Sequence, residues 1–239
     1  MRIAIIPARG GSKRIPRKNV KDFCGKPMIA WSIEASKASR CFDKIIVSTD
    51  DREIANVAKG YGAEVPFMRP AELSDDFTGT IPVIRHAVEW VQTHLGTVEY
   101  ACCIYATAPF VDPQDLVRGC DLISHQRLDY AFSVTSYAFP IQRAIRITEG
   151  GTVAMFNPEH FATRSQDLAE AWHDAGQFYW GAAEAWCKER TIFGERSAPV
   201  VLPRHRVQDI DTVEDWIRAE WLFRALQAEG ALKCYSLSV

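Results

Sequence analysis

The chain has 239 residues and a mass of 26.9 kDa, and its 28 Lys and Arg residues nearly balance its 30 Asp and Glu residues. Hydrophobic residues make up 47% and charged residues 24%, a globular composition that argues against long disorder, collagen-like repeats or a coiled coil. The net charge of -2 also lacks the basic excess of a dedicated nucleic-acid binder. We therefore expect one domain with a large core and no nucleic-acid partner.

Cysteine usage and apolar segments indicate the compartment. The short stretch 1–6, apolar apart from Arg2, is followed at once by Pro7 and Arg9, which differs from a signal peptide. No uncharged apolar run approaches the ~18 residues of a membrane helix. The cysteine spacing fits neither a zinc site nor a disulfide framework, the residues being Cys24, Cys41, Cys102, Cys103, Cys120, Cys187 and Cys234. These patterns predict a cytoplasmic protein without a membrane partner.

Short β-branched runs alternate with stretches of helical period through the first half of the chain. This is the pattern of repeated strand–helix–strand units on a mainly parallel sheet, an α/β fold. The predicted strands cover 3–6, 44–48, 64–67, 100–105 and 130–134. The predicted helices cover 27–39, 52–59, 80–95 and 113–125.

The alternation weakens after about residue 135. Between 136 and 180 the sequence is rich in Gly, Pro, Asn and aromatic residues, which favours hairpins and loops laid over the sheet. A short helix at 182–188, a strand at 200–202 and a helix at 212–227 follow, the last with a capping-box pattern at Thr212 and Asp215. We therefore predict a single domain, 1–239, with an inserted region at about 136–180.

The first predicted strand leads into a loop dense in glycine and basic residues. Its cations all precede the first acidic residue, and they are Arg9, Lys13, Arg14, Arg17, Lys18 and Lys21. Gly10 and Gly11 allow unusual backbone dihedrals and close approach, so that N–H groups can converge on an anion. Because open α/β sheets bind ligands at the carboxyl ends of their strands, a triphosphate is the expected ligand. The alternative is a solvated basic loop. P-loop and dinucleotide-binding motifs are both absent from the sequence.

A bound triphosphate usually comes with a divalent ion, and carboxylate oxygens suit Mg²⁺. Asp209 and Asp211 lie two residues apart, so on an extended chain they face the same way. Alternatively, Asp211 only caps the last helix and Asp209 is a surface acid. Asp50 and Asp51, after the second predicted strand, are further candidates, although an acid there commonly closes a turn.

Several segments resemble one known family. The basic loop, 6–13 (IPARGGSK) with 15–19 (IPRKN), is similar to the signature loop of the CMP-sialic acid synthetases, cytidylyltransferases that activate nine-carbon keto-sugar acids. Further matches in the expected order are 46–50 (IVSTD), 69–73 (RPAEL) and 209–212 (DIDT). The segments that look like the branch acting on pseudaminic acid are 105–110 (YATAPF), 139–144 (FPIQRA) and 173–181 (HDAGQFYWG). Tyr105 stands where the sialic acid enzymes carry a base-reading Gln.

The resemblance implies a Rossmann-like nucleotidyltransferase fold, in a homodimer whose interface contains the inserted hairpin region and the last helices. It implies a CTP-dependent reaction, in which the anomeric hydroxyl of the keto-sugar acid attacks the α-phosphorus and pyrophosphate leaves. The CMP-linked product would serve surface glycan or flagellin glycosylation.

The resemblance also implies roles for individual residues. Arg9 and Lys18 would bind the triphosphate and stabilise the leaving pyrophosphate, Asn19 would hold the ribose, and Arg69 and Thr80 would approach the cytidine. The whole nucleotide site would comprise Ala8, Arg9, Gly10, Gly11, Ser12, Lys13, Arg17, Lys18, Asn19, Arg69, Thr80, Tyr105 and Thr107.

For the rest of the reaction, the resemblance implies that Asp209 and Asp211 hold Mg²⁺ against the phosphates. The proton of the attacking hydroxyl would pass to Asp211 or to a Mg²⁺-bound hydroxide. The sugar acid would be bound by Gln142, Arg143, Arg164, Gln177 and Phe178. Three alternatives stay open: another keto-sugar acid (N-acetylneuraminic, legionaminic or KDO), a sugar phosphate, and a non-catalytic module that binds nucleotide or RNA.

Overall fold

Ten strands and six helices make up the part of the chain that this computed structural model describes, residues 1–231. Residues 232–239, with Cys234 among them, lie outside the described residues. The strands are β1 (Arg2–Pro7), β2 (Asp22–Phe23), β3 (Lys26–Pro27), β4 (Lys44–Ser48), β5 (Tyr100–Ile104), β6 (Tyr130–Ser136), β7 (Ile145–Ile147), β8 (Val153–Met155), β9 (Trp172–Ala182) and β10 (Ser197–Val201). The helices are α1 (Met28–Ser39), α2 (Arg52–Gly60), α3 (Thr80–His94), α4 (Pro113–Gln126), α5 (Ala183–Cys187) and α6 (Val213–Ala228).

A six-stranded sheet with the order β10-β6-β9-β5-β1-β4 forms the centre of the fold. Strand β1 pairs in parallel with β4 and β5, and β10 pairs in parallel with β6. Strand β9 runs antiparallel to both of its neighbours, β5 and β6. The expectation of an α/β fold with a mainly parallel sheet is therefore confirmed.

Strand β9 corrects the prediction for the segment that precedes residue 180. Residues Trp172–Ala182 do not lie over the sheet; they form its longest strand. The glycines in this segment suggested a loop, but they lie inside the strand, where neighbouring side chains and the local backbone conformation require them. A Cβ on Gly181 would collide with the indole of Trp186, and Gly176 takes a φ of 61° near the point where pairing with β6 shifts register. Within residues 136–180, the hairpin that the structure shows is the antiparallel pair β7–β8.

The predicted strand at 64–67 is also wrong, because this segment makes only an isolated parallel bridge between Glu64 and Ile46. Pro66 follows within two residues and has no N–H to donate, which stops further pairing with β4. The chain then continues through a short 3₁₀ turn, Ala71–Leu73, to α3.

Two hydrophobic cores cover the two faces of the sheet. Neighbouring residues of β1 point to opposite faces, so Ile6 packs in one core with Leu116 of α4, and Ile5 in the other with Val88 of α3. Ile5 and Ile6 are both fully buried, as expected for a strand covered on both faces. The carboxyl ends of β1 and β5 remain open at one edge of this layered structure.

A third core fixes the last helix. Trp216 and Phe223 of α6 pack edge-on against Phe23, at ring-centroid distances of 5.3 and 5.4 Å. Each such buried side chain contributes about 2 to 3 kcal/mol. Helix α6 begins with the predicted capping box, in which Thr212 and Asp215 exchange hydrogen bonds. Because Ile210 is buried in the same core, the chain just before α6 is held in a fixed position.

Residues 137–171 form an arm of short turns around the β7–β8 hairpin. This arm exposes large apolar side chains, with 81% of Phe139, 79% of Ile147 and 74% of Phe161 accessible. On the outer side of α6, Trp221 is 66% exposed. Across residues 1–231 no helix combines the length and apolar character needed to span a bilayer.

Candidate active site

A cleft of about 450 Å³ opens at the carboxyl ends of β1 and β5, beside the first turn of α3. Of the predicted nucleotide-site residues and metal ligands, those that line it are Arg9, Ser12, Lys13, Lys18, Asn19, Arg69, Thr80, Tyr105, Thr107 and Asp211. The cleft thus gathers groups from the basic loop, from three later segments and from the start of the last helix. Among the described residues that line it, five are basic and two are acidic.

Gly10 is required for close approach, not for an unusual dihedral. Neither Gly10 nor Gly11 has a positive φ, contrary to the sequence interpretation. The Gly10 N–H donates to Asp50 Oδ1 at 2.9 Å, and a Cβ on Gly10 would lie 2.7 Å from Asp51 Oδ2. A Cβ on Gly11 would meet only open space. The loop therefore packs onto the turn after β4 through Gly10.

Arg17 braces the basic loop from outside the cleft. Its guanidinium donates to both carboxylate oxygens of Asp51, at 2.6 and 3.0 Å, and also pairs with Glu53. The Arg17 hydrogen bonds hold the pKa of Asp51 down to about 2, although partial burial opposes this. Asp51 also caps α2 by accepting from the Ile54 N–H. Arg17 thus forms ion pairs away from the cleft lining, and Ala8 is buried, so the nucleotide contacts of both residues stay predictions.

Lys18 connects the basic loop to the segment before α6. Its ammonium donates to the Ile210 carbonyl at 2.6 Å and lies 3.5 Å from Asp211 Oδ1. The guanidinium of Arg14 pairs with the other oxygen of Asp211 at 2.8 Å. Arg14 was missing from the predicted site residues, although it belongs to the same basic run. Two cations thus face one carboxylate across the cleft.

Arg9 and Lys13 face a second acidic group that the sequence analysis missed. Arg9 donates to the Asp75 carbonyl at 2.6 Å and to Asp76 Oδ1 at 2.7 Å, and Lys13 pairs with the same carboxylate. Lys13 and Arg9 hold the pKa of Asp76 below its ordinary value. The only sequence signal was the position of these acids shortly after the 69–73 motif.

The inner wall of the cleft contains a buried guanidinium. Arg69 is only 7% exposed and donates to the hydroxyl of Ser48 at 3.1 Å and to its carbonyl. Burial lowers the pKa of Arg69 to about 10, so the group remains charged at neutral pH. Beside it, the hydroxyls of Thr80 and Tyr105 form a hydrogen bond of 3.3 Å. This wall offers polar groups of fixed orientation, suited to a nucleobase.

Asn19 closes the loop, because its amide donates to the Arg9 carbonyl at 3.0 Å. Its side chain lines the cleft between the basic loop and the sheet.

The two predicted metal ligands, Asp209 and Asp211, differ in their relation to the cleft. Asp211 lines the cleft, and the pKa of Asp209 is raised by partial burial and by the negative charge of Asp211. Asp209 is not among the residues that line the cleft, and the repulsion between its charge and that of Asp211 is of the kind that a bound divalent cation would relieve. Within residues 1–231, no group of three or more His, Cys, Asp or Glu side chains converges as a metal site. A cation here would need phosphate oxygens or water molecules as further ligands. Mg²⁺ is usually bound in this way, by one or two carboxylates together with substrate phosphates and water.

The five predicted sugar-binding residues do not line the cleft. In the arm, Gln142 donates to the Ala169 carbonyl at 2.9 Å, Arg164 pairs with Asp167 at 2.7 Å, and Arg143 is exposed. Gln177 is 3% exposed and donates to the Arg206 carbonyl.

The prediction for Phe178 is wrong. This side chain has no accessible surface, since it packs in the core beneath the sheet. The error arises because this segment forms a strand and not a loop. Side chains along a strand point alternately to its two faces, and that of Phe178 points into the hydrophobic core.

The comparison with protein families decides the class. A family model described as cytidylyltransferase matches residues 3–219. The chain belongs to the cytidylyltransferase family. It is therefore a nucleotidyltransferase, and the alternative of a non-catalytic module is not supported.

Curated relatives of this cytidylyltransferase include enzymes named for different sugar acids. The pseudaminic acid cytidylyltransferase of Campylobacter jejuni subsp. jejuni serotype O:2 is 45% identical over 93% of this chain and 96% of its own. The CMP-N,N'-diacetyllegionaminic acid synthase of Legionella pneumophila is 31% identical over 94% of this chain and 97% of its own.

A solved structure confirms the fold. CMP:2-keto-3-deoxy-manno-octonic acid synthetase, complexed with CTP, matches with a TM-score of 0.68 at 16% identity and covers 96% of this chain and 99% of its own. The nucleotidyltransferase architecture predicted from the sequence is therefore present.

Proposed function

We propose that this cytidylyltransferase couples CTP to pseudaminic acid, giving the CMP-linked sugar and pyrophosphate for surface glycan or flagellin glycosylation. The observation that supports it best is the cleft itself, which sets basic side chains against Asp211 at the carboxyl ends of β1 and β5. The 45% identity to a relative named for pseudaminic acid supports the choice of substrate.

The reaction is an in-line transfer at the α-phosphorus of CTP. The anomeric hydroxyl oxygen forms the new bond to phosphorus, the bond to the bridging oxygen of pyrophosphate breaks, and the hydroxyl proton is lost. Positioning and charge neutralisation carry such a reaction more than covalent chemistry does. Arg9 and Lys18 would hold the triphosphate and neutralise the leaving pyrophosphate, with Lys13 and Arg14 beside them.

The inner wall would hold the nucleoside. Asn19, fixed by its hydrogen bond to the Arg9 carbonyl, would face the ribose. Arg69 and Thr80 would approach the cytosine, and Tyr105 and Thr107 would complete the wall. The hydrogen bond between Thr80 and Tyr105 supports this role, because it fixes both hydroxyls before a base arrives.

Asp209 and Asp211 would hold Mg²⁺ together with the phosphates. When bound, the ion supplies positive charge that draws electron density from the α-phosphorus and from the departing pyrophosphate. The hydroxyl proton would pass to Asp211 or to a Mg²⁺-bound hydroxide, and the position of the Asp211 carboxylate in the cleft lining supports the first of these. Arg14 and Lys18 would keep this carboxylate aimed at the phosphates.

The sugar acid would be bound with help from a second chain. Gln142, Arg143 and Arg164 lie on the arm and do not line the cleft of their own chain, and Gln177 is buried in β9. A homodimer that covers the exposed apolar surface of the arm and of α6 would bring arm residues to the partner's cleft. Light scattering checks this, with an expected mass of twice 26.9 kDa.

The compartment proposed is the cytoplasm. The described cysteines are all free thiols, including the adjacent Cys102 and Cys103, which suits a reducing environment.

The alternative substrates are N-acetylneuraminic, legionaminic and KDO acids. The second of these has support from the relative of Legionella pneumophila, which is named for a legionaminic acid. Pyrophosphate release with CTP and Mg²⁺, measured in parallel with pseudaminic acid and these three, separates the candidates. Release with pseudaminic acid alone is expected. Release with another acid only would overturn the substrate, and no release with any acid would overturn the proposal.

A further inference from the structure

The carboxylate of Asp76 pairs with two of the four cations that are proposed to surround the triphosphate. Arg9 lies 2.7 Å from its Oδ1, and Lys13 pairs with its Oδ2. Arg9 also donates to the neighbouring Asp75 carbonyl at 2.6 Å. Two cations from the loop after β1 are therefore neutralised by a loop that lies more than sixty positions further along the chain.

This contact belongs to the cleft and not to the surrounding surface. Arg9, Lys13 and Asp76 all line it. A carboxylate in this position repels the oxygens of any bound phosphate at close range. The side chains of Arg9 and Asp76 are 36% and 35% exposed, so water screens their ion pair and its contribution is small.

The loop that presents Asp76 is braced within itself. The Asp75 carboxylate accepts from the Phe77 N–H at 3.0 Å and from the Thr78 N–H at 2.7 Å. It also accepts from the Thr78 hydroxyl at 2.7 Å. Phe77 is 93% exposed, so its ring is not packed against the core. A displacement of this turn would therefore cost no buried apolar surface at Phe77.

We propose that Asp76 is an internal counter-anion: it holds Arg9 and Lys13 in the ligand-free cleft, and the triphosphate of CTP displaces it. This inference rests on the proposed role of Arg9 and Lys13 in triphosphate binding. Asp76 is a positioning residue that acts through these two cations. It sets the affinity for CTP, because every binding event first breaks its ion pairs.

Titration calorimetry with CTP and, separately, with inorganic pyrophosphate tests the inference. Asp76→Asn removes the competing charge and keeps the size, so both ligands are expected to bind about threefold to tenfold more tightly than to the unmodified protein. Asp76→Glu keeps the charge and is expected to restore the original affinity. Glu64→Gln serves as the matched control, because it removes a carboxylate 2.9 Å from Lys44 at the surface, away from the cleft.

The outcomes separate a counter-anion from a structural residue. A structural role would lower the melting temperature of Asp76→Asn without tightening ligand binding. Unchanged or weaker binding of pyrophosphate and CTP by Asp76→Asn, or by Asp76→Ser if the first variant does not fold, would overturn the inference. The proposed function fails separately, if the unmodified protein binds pyrophosphate but turns over none of the four sugar acids.

Discussion

The ammonium of Lys18 lies 3.5 Å from a carboxylate oxygen of Asp211, and it donates to the adjacent Ile210 carbonyl across 192 positions of sequence. This pair joins the basic loop after β1 to the segment before α6. Because Ile210 is buried in the core that anchors α6, the C-terminal helix fixes one side of the cleft. The two ends of the described chain therefore build the site together.

Replacement of both Asp209 and Asp211 by Asn is expected to reduce turnover by about a hundredfold or more, because the preorganised charge that would hold Mg²⁺ is lost. Pyrophosphate release at saturating Mg²⁺ measures this, and circular dichroism checks that the fold is intact. Asp121→Asn, an exposed carboxylate on α4, is the control. Unreduced turnover in the double variant would refute the metal assignment.

The change Arg9→Ala is expected to lower kcat by about 10² to 10³, the usual loss for one preorganised charge contact. A surface arginine gives the control, since Arg85 pairs only with Glu89 and Glu189 among its described salt bridges. Steady-state kinetics with CTP and the sugar acid measure kcat for Arg9→Ala and for the control Arg85→Ala. A loss below about tenfold would make the loop a solvated surface.

The two glycines of the loop are expected to respond differently to alanine. At Gly10 the new methyl group would lie 2.7 Å from Asp51 Oδ2, so the loop or the carboxylate has to shift. Gly10→Ala should therefore destabilise the protein by about 1 to 3 kcal/mol, whereas Gly11→Ala meets open space and should change stability little. Urea unfolding compares them, and equal effects would contradict the packing described.

The ion pair between Arg17 and Asp51 makes stability depend on acid pH. The pKa of Asp51 is lowered from 3.8 to about 2 by Arg17, so folding favours the charged form. Its contribution is complete above about pH 4 and is lost as the pH falls towards 2. Solvent screening limits the contribution to about 1 kcal/mol.

Asp51→Asn tests this contribution, since asparagine still caps α2 but cannot pair with Arg17. Unfolding free energies from pH 7 to pH 3 are expected to show the variant less stable at neutral pH, with the difference shrinking in acid. A difference that stays constant across this range would show that the ion pair contributes nothing.

The elements were predictable where the period of the sequence was clear. Short continuous apolar runs indicated β1, β4, β5 and β6, and the helices between them begin and end within a few residues of their predicted limits. Strand β9 was not predictable from the sequence. Gly176 lies near a register shift in its pairing with β6, and Gly181 leaves room for the indole of Trp186, and both of these features exist only in the folded protein. Single residues inside a strand carry no signal of what packs on them.

The sequence predicted where charged side chains concentrate, and not the contacts that these side chains make. The density of cations after β1 indicated an anion site, yet Arg17 is turned away by Asp51 and Glu53. Asp76 could not be found, because a lone acid on a loop has meaning only when its partners are known. Phe178 differs again, since burial depends on the whole sheet.

The position of β9 has a consequence for the order of assembly. Its partners β5 and β6 both precede it in the chain, and it inserts between them. Until residues 172–182 have been synthesised, the edges of β5 and β6 that pair with β9 have no partner. Unpaired strand edges of this kind associate with other chains. A fragment that stops before residue 172 would leave the facing edges of β5 and β6 uncovered, so we expect it to aggregate although it keeps the loop after β1.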